Sequence, residues 1–452
     1  MSSIGVAGYE MRRLLRDRAV VGLLLLLAAL ATYAAWNGSQ WVGQRTGAIG
    51  LLAAEEQQMQ ARARSFVGKA PSVLPRVQPV LPPAPMTAVS IGQADAYPFT
   101  ADVVALGDAT ALFKRLWADI GSPTARAAGR FDLAFVVVFL LPLILLAASY
   151  DLWSRERERG IAAMVMAQPI AVGGLIVVKA LARGLVVLLP ATAILVAVAA
   201  WAGARDPAGL LCLSLIVLSY GGFWLAVALV IGLRARRSTD AAVAAGAIWL
   251  SLVVMAPSLT LAGIDLLSPA PSELRFSTDV KAHMTQIAER QRLQRAVIRA
   301  PVRSPAPAIP DQLRQSYAEL VAADRQLAPL LAEHRQARDA RRRVMDRVRF
   351  LLPSVAAQDA LDRLAGTDAD RALAFQDQVA LFRQQRRRLH QTYLERDAIQ
   401  TLAEYDGLPR FVFRETDSVF GTGVLADLAA LLAATGLLLV AARAMRSQAT
   451  TP

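Results

Sequence analysis

The sequence predicts an all-α polytopic membrane protein, and three observations carry that prediction. Hydrophobic residues make up 55% of the 452 residues, and the mean hydropathy is +0.39. Long apolar runs recur along the chain, and about 20 such residues are enough for a helix to cross a bilayer. Short Arg-rich stretches separate several of these runs, which is typical of loops at a membrane surface. Six transmembrane helices and two large loops are therefore expected, the second loop folding as a helical hairpin-type domain.

The chain begins with a basic amphipathic stretch, residues 1–18, which favours a helix lying along the membrane surface. The first span follows and ends near Trp36, and indole rings prefer the membrane interface. A cleavable signal peptide is the alternative, but the apolar run is long for one and no clear cleavage site follows it. In order, the predicted segments after residue 18 are spans at 19–36, 131–150, 181–201, 210–233, 241–263 and 423–442, large loops at 37–130 and 264–420, a charged segment at 151–180, and a tail at 443–452.

Basic residues near the span ends predict the orientation. The N-terminus, the 151–180 segment, the turn after the fourth span and the C-terminus are all basic, whereas Arg205 in the 202–209 turn is balanced by Asp206. The positive-inside rule then predicts that both termini are cytoplasmic and both large loops extracytoplasmic. Much of the net charge of +13 flanks the spans, so topology is its simpler explanation. No nucleic-acid partner is expected, because basic stretches such as RDARRRV are more simply solvated helix faces.

The segment between the second and third spans carries five consecutive charges and cannot lie in hydrocarbon. Ser154 can cap a short helix there, with acidic side chains in its positively polarised first turn. Apolar residues at helical spacing follow as far as Pro169, so a short amphipathic helix at the membrane surface is expected. The residues of this helix with candidate roles are Arg155, Glu156, Arg157, Glu158, Arg159, Gly160, Ile161 and Met164.

This segment resembles a known family. The run at 156–160, followed by an apolar helix and Gln168-Pro169, resembles the E-R-E-x-G segment after the second span of ABC-2 type exporter permeases. In that family the segment is the coupling helix that docks on a separate ATP-binding subunit. The resemblance implies the same contact here, although Ile161 stands where the family often has Thr. An ordinary charged loop between two helices is the alternative interpretation.

The large loops sharpen the resemblance. Three stretches of the first loop, NGSQWV at 37–42, PPAP at 82–85 and IGQADAYP at 91–98, resemble a subgroup of ABC-2 permeases that carries the domain of unknown function DUF3526. LAGTDADRALAFQDQV at 364–379 and LPRFVF at 408–413 resemble the signature of the same group. The signature residues of interest in the second loop are Gly366, Thr367, Phe375, Val379, Phe382, Pro409 and Phe411.

The second loop is expected to be mostly helical. Charged helices at 275–299 and 311–350 are separated by the proline-rich VRSPAPAIP. Gly366 suits the end of a helix, and Thr367 or Asp368 can cap the next one. Along that next helix apolar residues step by three and four, interrupted by Arg386, which predicts packing on another helix. The stripe consists of Ala372, Phe375, Val379, Phe382, Leu389 and Tyr393.

Polar and small residues inside the spans are candidate contact sites. Ser219, Tyr220, Gly221 and Gly222 interrupt the fourth span, and small residues allow close helix approach. This patch is expected to face protein or a pathway, with helix packing favoured over contact with a substrate.

Two further residues stand out within the spans. Pro257 predicts a kink in the fifth span. Asp427 lies one turn inside the sixth span, where the helix dipole favours an anion, so a simple end-of-helix charge is expected there.

Missing motifs limit the chemistry. No G-x-x-x-x-G-K-[ST] is present, so the chain does not bind ATP as a P-loop protein. His283, His334 and His390 are far apart in sequence, and the single Cys212 excludes an intrachain disulfide, so no metal site is expected. The resemblance implies a non-enzymatic permease subunit, with ATP and Mg²⁺ bound by a partner ATPase.

The resemblance also implies a second permease subunit, identical or related, in a bacterial inner membrane. A mechanotransmission complex is the alternative: the same ATPase would move the spans against periplasmic proteins, with nothing crossing the bilayer. A membrane-anchored scaffold without an ATPase is a third reading.

Overall fold

The structure is a computed structural model, and it is almost entirely helical. The residues that it describes are 3–69, 74–104, 131–151, 153–158, 160, 164, 172–269, 273–297, 309–397 and 399–448. Within these ranges, extended pairing is limited to two isolated antiparallel bridges in the first large loop, Val77 to Val103 and Val80 to Thr100. The helices used below are α1 (Ser3–Leu15), α2 (Arg18–Arg64), α3 (Leu133–Ser149), α4 (Ser154–Glu158), α5 (Gly174–Trp201), α6 (Pro207–Arg234), α7 (Ser238–Leu267), α8 (Glu273–Val297), α9 (Asp311–Val348), α10 (Pro353–Ala365), α11 (Ala369–Arg396), α12 (Leu402–Asp406) and α13 (Thr422–Gln448).

Five of these helices are long and apolar enough to cross a membrane, namely α2, α5, α6, α7 and the Thr422–Met445 part of α13. The apolar helix α3 is shorter, at seventeen residues. Its length of about 26 Å is slightly less than the roughly 30 Å of a typical hydrocarbon core. The protein is therefore an all-α, multi-pass membrane protein, and α3 occupies the position of the second predicted span.

The helix bundle has two unlike ends. Helices α1 and α4, the turn at 235–237 and the C-terminal end of α13 lie at one end, which we call the basic end. There α1 packs across the first turns of α5. The two large loops and the turn at 202–206 lie at the opposite end, which we call the domain end.

Helix α2 extends far beyond its apolar part. The first span is expected to end near Trp36, but a single helix of 47 residues continues without a break to Arg64. It is about 70 Å long. The helix runs through Gly38 without a break. Glycine is needed at this position because a Cβ would collide with the carbonyl oxygen of Ala88, which packs against the helix. The helix thus joins the bundle directly to the first large loop.

The second large loop begins with an antiparallel pair of helices, α8 and α9. Their bounds, Glu273–Val297 and Asp311–Val348, agree closely with the helices expected at 275–299 and 311–350. Ile287 on α8 packs with Ala323 and Leu327 on α9. Most of the proline-rich break between them, 298–308, lies outside the described residues.

The apolar stripe of α11 packs on extended chain, which corrects the expectation of a helix partner. Phe375 is fully buried, and its ring meets that of Phe411 edge-on at 5.9 Å between centroids. Arg386 interrupts the apolar stripe, yet its side chain is buried. Its Nη2 donates to the carbonyl oxygen of Pro75 at 2.5 Å, which satisfies part of the buried guanidinium. Both large loops therefore form one domain. The shared cluster also contains Val77, Ala101, Val103, Val379 and Phe382.

Helix α10 anchors this domain in the bundle. It packs on α13 and α6, and its buried side chains belong to the same apolar core as the spans. Gly366 ends α10 in the left-handed conformation, at φ 65°, as its place in the sequence predicted. Of the two candidate caps, Asp368 caps α11 by accepting from the amides of Asp370 and Arg371 at 2.8 and 3.1 Å.

Candidate coupling site at the basic end

The charged segment after α3 forms a short helix, α4, whose acidic residues bond within the chain. Glu156 pairs with Lys179 of α5, and the Lys179 ammonium also lies 5.5 Å from the centroid of the Trp153 ring. Glu158 accepts from the amide and the hydroxyl of Ser238, at 2.9 and 2.6 Å. Since Ser238 begins α7, Glu158 acts as an N-cap supplied by another part of the chain.

Two arginines complete this arrangement, which we call the basic-end cluster. The Arg157 guanidinium donates to the carbonyl of Ala235, in the turn between α6 and α7, at 3.0 Å. Burial lowers the pKa of Arg157, and repulsion from Arg236 lowers it further. Arg183 of α5 donates to Asp151 at 2.9 Å, and both side chains are about nine-tenths buried. The cluster consists of Asp151, Glu156, Arg157, Glu158, Lys179 and Arg183.

The rest of the predicted coupling helix is only partly described. Gly160 adopts a left-handed conformation, at φ 71°, which ends α4 and turns the chain. Met164 is helical and its side chain is 74% exposed. Arg159, Ile161 and the side chain of Arg155 lie outside the described residues. The segment that follows the cluster therefore exposes an apolar residue, Met164.

The residues at 219–222 make contacts with neighbouring spans. The Tyr220 hydroxyl is buried and donates to the carbonyl of Val138 in α3 at 3.0 Å. Gly221 makes room for Leu188 of α5, which a Cβ at this position would strike. Ser219 is half-buried, and open space surrounds the position where a Cβ would stand at Gly222. Tyr220 and Gly221 thus lie in helix packing.

A second charged group, the domain-end cluster, joins the domain to the last span. Asp427 of α13 is fully buried, and its carboxylate lies 3.3 Å from Arg349 and 4.0 Å from Arg363. Both guanidiniums also bond Asp359 at 2.6 Å, and Arg363 reaches Asp370 at 2.7 Å. Asp427 is therefore no simple end-of-helix charge, because α10 and the turn before it cover it with two cations. An acid inside a spanning helix is the signal that could have indicated this role.

The signature residues of the second loop lie at the junction of the two loops. Thr367 is buried, and its carbonyl accepts from the amide of Gln93 in the first loop at 3.2 Å. A Cβ on Gly366 would come within 2.7 Å of the Ala84 side chain, so glycine is needed there for close approach as well as for its left-handed φ. Pro409 is half-buried two residues before Phe411. These residues act in joining the loops.

Comparison with known families bears on the domain end. Residues 308–414 match the family model described as Domain of unknown function (DUF3526). The chain contains a DUF3526 domain. The match runs from just before α9 to the strand-like segment that carries Phe411, so it includes α10, the helix that enters the bundle core. A search of curated proteins gave no match to the chain.

Within the described residues, no group of three or more His, Cys, Asp or Glu side chains could hold a metal ion.

Proposed function

We propose that this protein is the permease subunit of an ABC-2 type exporter, driven by a separate ATP-binding subunit that holds ATP and Mg²⁺. A second permease subunit, identical or related, would complete the pathway. Both termini would lie in the cytoplasm of a bacterial cell whose inner membrane holds the six spans. The observation that supports this proposal best is the basic-end cluster.

A charged loop that only connects two spans needs no bonds to other helices. Here the acidic side chains of α4 instead bond the first turns of α5 and α7, through Glu156 to Lys179 and through Glu158 to Ser238. Such bonds carry a force on the segment directly to two spans, and α3 runs into the segment itself. That is the property a coupling helix requires, and the exposed Met164 provides an apolar contact for an ATPase.

The mechanotransmission alternative gains support from the domain end. Both large loops form one domain, and α10 fixes that domain into the core of the bundle. A movement of the spans would therefore be delivered to whatever the domain contacts outside the membrane. This reading needs the same ATPase and the same basic-end cluster, but no transported molecule.

The experiment is to purify the protein in mild detergent with its ATP-binding partner and to reconstitute the complex in liposomes. ATP hydrolysis with uptake into inside-out vesicles is the expected result for an exporter. Hydrolysis without transport of any co-purifying molecule would favour mechanotransmission, and absence of an ATPase would favour the scaffold reading. Met164→Glu should weaken partner binding, whereas the matched change at the domain end, Leu266→Glu, should leave it intact, since Leu266 is 85% exposed there.

Topology can be tested separately. Arg237, in the turn before α7, and Val412, in the DUF3526 domain, are both exposed. With Cys212 replaced by alanine, a membrane-impermeant thiol reagent should label Val412→Cys but not Arg237→Cys in spheroplasts. The reverse pattern would place the DUF3526 domain in the cytoplasm and contradict the proposal.

A further inference from the structure

Three of the apolar helices share an interruption that the other three lack. In α3, α5 and α7 the α-helix gives way to a π-helical turn, and a proline follows two residues after that turn. A proline has no N–H, and its ring presses on the carbonyl four residues earlier, so a wider turn accommodates it. The turns and their prolines are Val136–Leu140 with Pro142, Gly184–Leu188 with Pro190, and Leu250–Met255 with Pro257.

The three interruptions lie at similar heights. Counted from the basic end of each helix, they begin roughly 9 to 12 residues in, which is about 14 to 18 Å at 1.5 Å per residue. That depth is close to half of a hydrocarbon core of about 30 Å. The described residues of α2, α6 and α13 contain no π-helical turn, and the single proline among them, Pro207, is the first residue of α6.

Donors from neighbouring elements satisfy carbonyls at two of these turns. Val138 lies four residues before Pro142, where an α-helix would need the missing N–H, and the Tyr220 hydroxyl of α6 donates to it at 3.0 Å. Leu252 lies five residues before Pro257, the spacing of a π-helical bond, and the Ser354 hydroxyl of α10 donates to it at 2.8 Å. Bending at these two turns can therefore keep the Val138 and Leu252 carbonyls paired, because a side-chain hydroxyl can follow the motion.

The same three helices are bound together at the basic end. Helix α3 leads into α4, Lys179 and Arg183 attach α5 to the segment, and Ser238 attaches α7. The basic-end cluster thus holds all three helices that can bend at mid-depth, and Arg157 also bonds Ala235 at the end of α6. At mid-depth, α6 contacts two of the turns, since Tyr220 bonds Val138 and Gly221 admits Leu188.

We propose that the basic-end halves of α3, α5 and α7 move with the α4 segment as one unit, pivoting at the three π-helical turns against a fixed frame of α2, α6 and α13. The inference rests on the proposed function for the source of the force, since an ATPase would act on the segment. The halves on the domain side stay with the frame, where α10 packs on α6 and α13.

The test measures distances between paired spin labels in the liposome-reconstituted protein, with Cys212 replaced by alanine. One pair, Met164→Cys and Arg443→Cys, joins the moving unit to the frame at the basic end. The other, Leu51→Cys and Leu266→Cys, joins α2 to α7 at the domain end, where both side chains are exposed. The triple change of Pro142, Pro190 and Pro257 to alanine restores three N–H groups and should narrow the first distance distribution. The second distribution should not change.

Pro207→Ala is the matched control and should narrow neither distribution, because Pro207 starts a helix of the frame. A basic-end distribution that is unaltered by the triple change would overturn the hinge, and so would equal narrowing at both ends, which indicates whole-helix motion. If the triple change narrows the basic-end distribution but the protein proves to have no ATPase partner, the hinge stands and the proposed function is wrong. If the protein carries out ATP-driven transport but the triple change narrows nothing, the proposed function stands and the hinge is wrong.

Discussion

The two charged clusters of this protein hold the same bundle in different ways. In the basic-end cluster Glu156 and Glu158 each bond a different helix, Glu156 keeps 23% of its side chain exposed and Glu158 is exposed, although Arg183 and Asp151 form a buried pair beside them. In the domain-end cluster the bonds are shared, since Arg349 and Arg363 both contact Asp359 and Asp427. Separate bonds at helix ends allow relative motion, whereas a buried shared network has one arrangement. The basic end is therefore suited to transmitting movement and the domain end to fixing the domain.

The largest loss of stability is expected at the centre of the domain. Phe375→Asp places a carboxylate where Phe375 is fully buried, so the loss should exceed the roughly 3 to 5 kcal/mol of a buried Phe→Ala change. Leu381→Asp, on the exposed face of the same helix, is the control and should have little effect. Limited proteolysis of the first large loop measures the result, and equal cleavage of the two variants would contradict the packing of the loops on each other.

The domain-end cluster should show the next largest loss. Arg363→Met removes one of the two cations that face Asp359 and Asp427. Because Arg349 remains in contact with both, the loss should stay below the roughly 3 to 5 kcal/mol of a fully uncompensated buried charge. Arg396→Met is the matched control, because Arg396 is 62% exposed and its ion pair is worth about 0 to 1 kcal/mol. Thermal unfolding in detergent should separate the two variants. Similar losses in both would mean that the cluster does not fix the domain.

Helix ends were the most predictable part of this fold. Gly366 and Asp368 act through their own backbone and nearest neighbours, so short sequence patterns suffice. Gly38 and Arg386 were not predictable in this way. Gly38 depends on the approach of Ala88, and Arg386 depends on the carbonyl of Pro75, which lies 311 residues away in sequence.

The candidate site shows the same limit. The charges of α4 and its surface position follow from composition, but their partners do not, since Glu158 bonds a residue 80 positions away. Pro257 indicated a kink, whereas the matching π-helical turns before Pro142 and Pro190 were not predicted from the sequence.

Stability at the junction of the domain with the bundle should depend on pH. Burial raises the pKa of Asp362 to about 7, although hydrogen bonds from Ser90 and Gln358 at 2.6 and 2.8 Å favour the carboxylate. The folded protein then keeps a proton that the unfolded chain releases above about pH 4, so stability falls as the pH rises from about 4 to 7, by about 1.4 kcal/mol per unit.

Asp362→Asn should remove this share of the pH dependence, because the amide oxygen still accepts from Ser90 but does not titrate. Melting temperatures between pH 4.5 and 8 provide the measurement. Exposed Asp406→Asn is the control and should leave the slope unchanged in this range. An identical slope in wild type and Asp362→Asn would show that Asp362 is not the group responsible.

A substitution at Glu158 should change the stability of the protein least among these variants, but it should change the coupling of ATP hydrolysis to transport most. Glu158→Ala removes the carboxylate that caps α7 at Ser238, and loss of a cap costs about 1 kcal/mol. Glu404→Ala removes a carboxylate of similar role at the domain end, where Glu404 completes the capping box of α12 with Thr401. Both variants should unfold at nearly the same temperature.

In the reconstituted complex, however, Glu158→Ala should uncouple ATP hydrolysis from transport, since a force on the segment no longer reaches α7 through this bond. Glu404→Ala should stay coupled. Equal coupling in the two variants would reduce the Glu158 bond to an ordinary helix cap and remove the functional difference between the two ends of the bundle.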